Sequence, residues 1–342
     1  MSRAITALRR ATLREWVAHH EACPWATFFH GPGWAAAWSD ATDGLVAPDP
    51  HLVEFDDGAS AVLVFSWRQK LGGLVRTALS TPGETYGGWV SADPLGPDHA
   101  RLLGRKLAEL TGNLRWRLNP FDPQAPLFLE RRDASPDETL YVDVDVGFDV
   151  VRAGCTKGHR SAATKAAREG VTVRVGRRPE DWRAYEELVA DTLRRWGEGA
   201  QVIRYPDGLL QALARRGGDE VRLWLAEKDG EALAGAVCLY GPQHVAYWHG
   251  AARADALKLR PVNLLLLEAM RHACEQPQLR TFDMGSSGPL EGVAAFKRSF
   301  GARPLPCPGL STESEWRRWA RRSGAATRAV LGSVGAAAGS RN

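Results

Sequence analysis

The segment FDMGSSGPLEGVAAFKRSFG places a lysine shortly after a loop rich in glycine and serine. The apolar residues around Asp283 predict the end of a strand, GSSG predicts a loop, and a short helix then brings Phe296 and Lys297 back toward that loop. Backbone N–H groups together with one cation can stabilise the oxyanion that forms when a carbonyl carbon is attacked. A structural loop beside a surface lysine is the alternative interpretation.

Positive charge is densest in TKGHRSAATKAAREGVTVRVGRR. Helical spacing places Arg160 and Arg168 on one face of a helix and Lys157 and Lys165 on the adjacent face. Because the contacts of lysine and arginine with phosphates add together, this helix predicts a phosphate-rich ligand. A solvated helix face explains the same charges equally well.

The sequence lacks the motifs of metal sites, of nucleotide-binding loops and of membrane spans. The five cysteines are widely spaced without a C-x-x-C pair, and the nine histidines show no ligand spacing, so we expect no metal site. Neither a P-loop nor a G-x-G-x-x-G turn is present. No apolar run approaches the roughly 18 residues of a membrane span, and arginines interrupt the N-terminal apolar residues. We therefore expect no integral membrane segment and a cytoplasmic location.

The chain has 342 residues, 44% of them hydrophobic, which is typical of a folded protein with two domains. Its first half must therefore supply one of these domains. Residues 1–42 predict helices, with Trp34 and Trp38 on one face. A hairpin is predicted for HLVEF and AVLVFSW, strands near 74–79, 114–118 and 139–145, and a helix at 98–111. In TPGETYGGWV, the two glycines allow the backbone to pass close to a ligand, with Tyr86 or Glu84 facing a cleft. A plain turn between strands is the alternative interpretation.

The second half predicts an α+β domain after a boundary near residue 150. Its expected helices span 156–169, 180–196, 207–216 and 261–275. Its expected strands are 171–175, the hairpin VRLWLAE and ALAGAVCLYG, then HVAYWHGAA and LRTFDMG. Because the three prolines of RPLPCPGL suit an extended segment better than a strand, we expect no further sheet at 303–310. The predicted domains are 1–150 and 151–302, followed by a basic tail, 303–342, with a frayed end.

Residues 150–301 resemble the second domain of the Fem-type proteins, a branch of the GNAT acyltransferase superfamily that includes the peptidoglycan bridge ligases and BioF2-like proteins. The matching segments, in order, are KGHRSAATKAAREGV, VRLWLAEKDGEALAGAVCLY, AYWHGAA, LLLLEAM, FDMGSSG and FKRSFG. TFFHGPGWAAAW and TYGGW are similar to first-domain segments of the same family. The resemblance implies an α+β fold of two GNAT-like domains with a cleft between them and no coiled-coil arm. It also implies that the tail returns to the first domain, where Trp316 and Trp319 pack.

The same resemblance implies an aminoacyltransferase that uses aminoacyl-tRNA and forms an amide or ester on an amine, hydroxylamine or peptide acceptor. Lys297, placed by Phe296, would stabilise the tetrahedral intermediate. The tRNA would contact the helix that carries Lys157, Arg160, Lys165 and Arg168. The acceptor cleft would be formed by six residues, namely Trp34, Trp38, Tyr86, Asn119, Tyr247 and Asp283. We expect a monomer without a resident cofactor.

Two alternatives remain on the same fold: an N-acetyltransferase that uses acetyl-CoA, and a non-catalytic binding module. Acetyl-CoA enzymes of this superfamily bind pyrophosphate on a glycine-containing loop that opens a helix. ADALKLRPVNLLLLEA has no such glycines at the corresponding place, which favours tRNA over CoA. The bridge ligases have an acidic residue before a proline where RLNP has Asn119. We therefore expect an acceptor other than the usual muropeptide and assign no side-chain general base.

Overall fold

The computed structural model describes residues 3–70, 73, 75–131, 134–196, 205–216, 218–288 and 290–312. Within this part of the chain, the strands form two sheets, and helices pack against each of them. Residues 313–342, which include Trp316 and Trp319, lie outside the described residues. No helix in the described part of the chain is both long and apolar enough to cross a membrane.

The first sheet has the strand order β1-β3-β4-β7-β8-β6-β5-β2, and β17 joins β8 and β9 beside this path. Its strands are β1 (Ile5–Arg10), β2 (Val46–Pro48), β3 (His51–Phe55), β4 (Ser60–Val64), β5 (Ser66–Lys70), β6 (Val75–Leu79), β7 (Tyr86–Val90), β8 (Leu114–Leu118), β9 (Ala134–Ser135) and β17 (Gly309–Thr312). The helices of this domain are α1 (Leu13–Ala22), α2 (Pro32–Ala41) and α3 (Pro97–Thr111).

The second sheet has the order β11-β12-β13-β14-β15-β10-β16. Its strands are β10 (Glu138–Asp143), β11 (Thr172–Gly176), β12 (Val221–Lys228), β13 (Glu231–Tyr240), β14 (His244–Ala252), β15 (Thr281–Ser286) and β16 (Arg303–Pro306). Its helices are α4 (Phe148–Gly154), α5 (Lys157–Arg168), α6 (Pro179–Trp196), α7 (Leu209–Arg216), α8 (Pro261–Cys274) and α9 (Glu291–Arg298).

The two sheets share a topology. Each has four antiparallel strands in a row, β1-β3-β4-β7 or β11-β12-β13-β14, followed by a strand that runs parallel to the fourth. One helix makes each crossover, as β7–α3–β8 and as β14–α8–β15. The predicted α+β class with two similar domains is therefore confirmed. The strands and helices expected between residues 51 and 286 form, apart from the turn at TYGGW.

The prediction of helix throughout residues 1–42 is wrong at its start. Residues 5–10 form β1, which pairs antiparallel with β3. Helix α1 begins only at Leu13, because Thr12 and Glu15 form a capping box: the Thr12 N–H donates to Glu15 Oε2 at 2.8 Å and the Glu15 N–H to Thr12 Oγ1 at 3.3 Å. The six residues before this fixed helix start pair their backbone with the edge of the sheet, and none of their side chains is fully buried.

The interpretation of TYGGW as a plain turn is also wrong, since Tyr86–Val90 is a buried strand within the first sheet. The two glycines serve close packing. A Cβ on Gly87 would lie 2.6 Å from the side chain of Ser80, and Gly88, at φ +139°, lies against the indole of Trp116. A glycine pair inside a strand can thus mark the close approach of neighbouring chains.

In the described part of the chain, the passages between the two sheets lie between β9 and β10 and between β16 and β17. β10, which falls within the predicted first domain, pairs with β15 and β16 of the second sheet. The segment expected to add no sheet forms β16 at the edge of the second sheet and then β17, which returns to β8. The prolines at 304 and 306 are tolerated because β16 is an edge strand.

The two domains are in direct contact along the loop that precedes α2. Backbone atoms of Thr27 and Phe28 approach Gly241 so closely that a Cβ there would lie 2.8 Å from the Phe28 nitrogen. His244 Nε2 lies 3.0 Å from the Pro24 carbonyl oxygen, and its ring stacks on Phe121 at 4.1 Å. One apolar cluster includes buried side chains from both domains, so the cleft between them has a packed floor.

Candidate active site

A cavity of about 430 Å³ opens where β14 and β15 diverge. These parallel strands pair only from His244–Ala246 to Thr281–Asp283, and beyond this point residues 247–251 and 284–288 line opposite walls. The first domain contributes Phe29, residues 83–86 and Arg117 to the same cavity. The expected cleft between two domains is therefore present, and it lies at the carboxyl ends of two parallel strands.

A bulge in β14 turns three consecutive side chains toward this cavity. Val237 pairs with His249 and Cys238 with Tyr247, which leaves Trp248 as the extra residue. Tyr247, Trp248 and His249 all line the cavity, whereas regular alternation would direct only every second residue there. His249 Nδ1 lies 2.6 Å from the Tyr185 hydroxyl, and burial lowers the pKa of His249 to about 4. The imidazole is therefore neutral.

Lys297, the predicted oxyanion-stabilising residue, lies on α9 with its side chain at the cavity. It is 6% exposed, and its ammonium donates hydrogen bonds to the carbonyl oxygens of Gly285, at 2.9 Å, and Ser286, at 2.8 Å. Its third N–H has no partner among the described residues. Burial lowers the pKa of Lys297 to about 8, against the opposing influence of Asp283 and Asp137. The side chain thus carries a proton at neutral pH and can donate it in a hydrogen bond.

Asp283 fixes the end of β15 beneath this lysine. Its carboxyl group accepts hydrogen bonds from the Thr139 hydroxyl and from the Gly285 N–H at 2.9 Å, and the Tyr86 side chain lies close enough to influence its pKa. Burial raises the pKa of Asp283, and burial also raises the pKa of Tyr86 well above its ordinary value. The hydrogen bonds of Asp283 therefore join β10 to β15, and Tyr86 of β7 lies beside them.

Sequence reasoning missed Arg117 and Asp137, which form a second link across the cleft. Arg117 Nη1 donates to Asp137 Oδ2 at 2.6 Å, and Asp137 Oδ1 accepts from the Ser286 hydroxyl at 2.7 Å. Through Asp137, Arg117 of the first domain therefore holds the loop at Gly285 and Ser286. Lys297 contacts the same loop from the opposite side. The only local signal is the alternation in LRWRL, which predicts a strand and does not identify a partner.

The six predicted cleft residues occupy three kinds of position. Tyr86, Tyr247 and Asp283 line the cavity. Trp34 and Trp38 are buried behind its wall, where Trp34 packs edge-on against Trp248 with ring centroids 5.3 Å apart. Asn119 does not line the cavity. Its amide nitrogen donates to the Trp25 carbonyl at 2.8 Å and its amide oxygen accepts from the Phe121 N–H at 3.2 Å, so it organises a loop.

The four predicted tRNA-binding residues lie on α5, outside this cavity. Lys157, Lys165 and Arg168 are exposed, whereas Arg160 donates to the carbonyl oxygens of Ala153 and Cys155 and so caps the preceding turn. α5 reaches the site through His159. The ring of His159 packs on Phe296, at 5.2 Å between centroids.

Phe296 faces a second cavity of about 310 Å³, at the start of α8. This cavity shares Tyr247, Gly250 and Ala251 with the first, so the two spaces are adjacent. Arg195 and Arg260 line its outer part. In the described part of the chain, no cluster of side chains could hold a metal ion.

Comparison with known proteins gives one family match, to a GNAT acetyltransferase domain over residues 153–298. No curated protein matches the chain. Among solved structures, the crystal structure of FemX has a TM-score of 0.68 and 14% identity and covers 89% of this chain and 97% of its own. L-PGS from Bacillus licheniformis has a TM-score of 0.54 and 13% identity and covers 90% of this chain and 93% of its own.

A tandem GNAT protein from the clavulanic acid biosynthesis pathway has a TM-score of 0.50 and 13% identity, and it covers 90% of this chain and 98% of its own. At these identities the likeness concerns the fold, which extends over both domains and not only over residues 153–298. The chain therefore contains a GNAT acetyltransferase domain at residues 153–298, and its two-domain fold is similar to that of FemX.

Proposed function

We propose that this protein transfers an aminoacyl group from aminoacyl-tRNA to an amine, hydroxylamine or peptide acceptor and forms an amide or ester bond. The observation that carries the proposal is the buried Lys297 ammonium, which has one N–H without a partner among the described residues and faces the space between β14 and β15. A charged donor in such a water-poor site stabilises an oxyanion much better than it would in water.

The reaction follows from this geometry. The acceptor nitrogen or oxygen attacks the ester carbonyl carbon, and the carbonyl oxygen takes up the negative charge as it accepts a hydrogen bond from Lys297. When the tetrahedral intermediate collapses, the bond to the tRNA ribose oxygen breaks, and that oxygen takes the proton lost by the acceptor. Because exchange of an ester for an amide is downhill, the reaction needs no ATP.

The start of α8 supports tRNA rather than CoA as the donor. A pyrophosphate group binds to free backbone N–H groups at a helix start. Here Pro261 has no N–H, the Arg260 N–H donates to Leu257 O at 3.1 Å, and the Asn263 N–H donates to Arg260 O at 3.2 Å. The Asn263 side chain is in turn bonded to His159. The Arg260 and Asn263 N–H groups and the Asn263 side chain are therefore already occupied, which reduces what this helix start offers to a pyrophosphate.

The exposed face of α5 supports a polyanionic donor. Lys157, Lys165 and Arg168 are exposed, and none of them forms an ion pair within the described residues. Three unpaired cations on one helix suit the repeated phosphates of a nucleic acid. Charged tRNA is a cytoplasmic substrate, so this donor implies a cytoplasmic location, and we expect the monomer to be the active unit.

The acetyl-CoA alternative rests on the second cavity, which joins the first along Gly250 and could hold the arm of a thioester donor.

A decisive experiment incubates the protein with charged tRNA pools and a panel of amines and detects new amides by mass spectrometry. Calorimetry with acetyl-CoA runs in parallel. We expect aminoacyl transfer and no CoA binding; tight CoA binding that is insensitive to salt, with acetyl transfer, would refute the proposal.

A charge variant tests the part played by α5. Lys157→Ala, Lys165→Ala and Arg168→Ala together should weaken tRNA binding and reduce the slope of affinity against salt concentration by about two to three. Three exposed first-domain arginines that form no ion pair within the described residues, Arg14, Arg105 and Arg115, provide a matched control when each is replaced by alanine. Equal effects of the two triple variants would show that α5 is not the specific tRNA contact.

A further inference from the structure

Glu84 stands at the rim of the cavity on the side of the first domain, with its side chain exposed. Gly83 and Glu84 both have left-handed backbone conformations, with φ of 79° and 57°. A glutamate gains nothing from this conformation, which is unfavourable for a residue that has a Cβ atom. The loop therefore holds this carboxylate in place against a local preference for another conformation.

Surrounding contacts fix the loop firmly enough to maintain that conformation. The Thr85 hydroxyl and the Trp34 indole N–H both donate to the Pro82 carbonyl, at 3.0 and 3.1 Å. Trp34 and Trp38 pack on Gly83 so closely that a Cβ there would lie 2.8 Å from the Trp38 ring. The direction of Glu84 is thus set by the tryptophans behind it.

The same two tryptophans support an aromatic wall next to Glu84. Trp34 packs edge-on against Trp248 at 5.3 Å, and Trp38 against Tyr205 at 6.3 Å, while Tyr205 and Trp248 contact each other at 4.8 Å between centroids. Both rings line the cavity. Burial, with a contribution from the nearby Glu84 charge, raises the pKa of Tyr205 to about 12, so its hydroxyl stays neutral.

Glu84 lacks a partner, although the cavity contains cations. No hydrogen bond or ion pair to its side chain occurs among the residues that the structure describes. Lys297 is directed to the carbonyls of Gly285 and Ser286, and Arg117 to Asp137. Arg68 is close enough to Glu84 for the carboxylate to raise the pKa of Arg68, although burial lowers that pKa more strongly. The two side chains form no ion pair. The carboxylate is therefore available to a ligand.

We propose that Glu84, Tyr205 and Trp248 form a subsite for a positively charged nitrogen of the substrate, either an alkylammonium or a guanidinium group. A carboxylate forms a charge-assisted hydrogen bond with such a group, and the faces of aromatic rings attract it. Glu84 would repel an anionic group, and a neutral group would gain a weaker hydrogen bond from it than a cation does. This inference deepens the proposed aminoacyl transfer and rests on it for the identity of the substrates.

The bound cation cannot be the attacking amine, because a protonated nitrogen has no lone pair for the carbonyl carbon. Two sources remain for the same chemistry. One is the α-ammonium group of the aminoacyl donor, and the other is a second cationic group on the acceptor, at a distance from the reacting nitrogen. Either group would orient its substrate with respect to Lys297 across the cavity.

The experiment measures the binding of small probes by calorimetry, without tRNA and without turnover. For the donor, norleucine methyl ester is compared with its neutral N-acetyl derivative. For the acceptor, 1,5-diaminopentane is compared with 5-amino-1-pentanol, in which a hydroxyl replaces one ammonium group. Each comparison is made on the wild type, on Glu84→Gln and on Glu187→Gln, which removes the same charge from an exposed position on α6 outside the cavity.

We expect the wild type and Glu187→Gln to bind the more highly charged member of one pair at least about tenfold more tightly, and Glu84→Gln to lose that preference. The pair that shows the effect identifies the source of the cation. Trp248→Leu should reduce the same preference if the rings contribute. The proposal is overturned if the wild type shows no preference in either pair, or if Glu84→Gln keeps it. Neither result bears on tRNA-dependent transfer, which the assay with charged tRNA tests separately.

Discussion

Each domain contains one pair of adjacent parallel strands joined by a crossover helix, β7 and β8 in the first domain and β14 and β15 in the second. We call the place where the two strands of a pair meet a junction. Protein side chains fill the junction of the first domain only. In the first domain, Trp116 extends from β8 and its indole packs against β7: its N–H donates to the Gly87 carbonyl at 2.8 Å, and the Trp89 and Phe128 rings pack against it at 5.5 and 5.2 Å. In the second domain, β14 and β15 diverge around a cavity of about 430 Å³.

This difference shows that topology creates a place for a site and side chains decide whether the site exists. Glycines allow the indole to approach β7 in the first domain. In the second domain, the bulge at Trp248 and the left-handed Gly285 keep the strand ends apart, and Lys297 contributes a charge at the open end. A fold therefore does not by itself specify which of its copies is catalytic.

The largest effect is expected from reopening the filled junction. Trp116→Ala should lower the free energy of unfolding by about 3–5 kcal/mol, because it leaves a cavity among buried rings and the Gly87 carbonyl without its donor. Chemical denaturation measures this loss. Lys297→Ala serves as the comparison and should cost far less stability. If both variants unfold alike, the indole does not close the first junction as the structure indicates.

Removing the cation of the open junction should abolish most of the activity and spare the fold. Lys297→Ala should reduce kcat about a hundredfold or more, since the oxyanion loses a charged donor. Lys106→Ala, which removes a surface lysine from α3 in the first domain, is the control. Single-turnover rates with saturating donor provide the measurement, and a near-normal rate for Lys297→Ala would make this lysine a structural residue of the Gly285–Ser286 loop.

The protonation of Lys297 predicts a pH profile specific to the open junction. Because the pKa of Lys297 is lowered to about 8, the ammonium is present below pH 8 and is lost as the pH rises through that value, so kcat should fall about tenfold per pH unit above it. Lys297→Arg stays charged throughout this range and should remove the decline, at a lower maximal rate. An unchanged alkaline limb in Lys297→Arg would assign the titration to another group.

The smallest effect is expected from narrowing the open junction without touching its charges. A Cβ on Gly250 would collide with the Tyr247 hydroxyl, so Gly250→Ala should turn that ring into the cavity and raise KM several-fold with little change in kcat. Gly292→Ala, in α9, adds the same methyl group where no atom lies within 4 Å and is the control. Equal KM values for the two variants would mean that Tyr247 does not border the substrate.

Much of the fold could be predicted from local patterns, because hairpins and amphipathic helices depend on residues within one or two turns of each other. Asp229-Gly230 correctly marks the turn between β12 and β13, and the basic helix forms as α5. The errors occur where distant contacts outweigh local preference. TYGGW reads locally as a turn, but packing against Trp116 makes it a strand.

The sequence by itself determined that a lysine lies on a short helix after a glycine-rich loop, which is a local fact. Only the tertiary structure decided which residues meet that lysine. Asp137 and Ser286 are 149 positions apart and share a hydrogen bond, and Glu84 lies beside Tyr205 because Trp34 and Trp38 hold both. Such contacts leave no periodic signal along the chain, since they arise only when two separately folded sheets bury a common set of aromatic side chains between them.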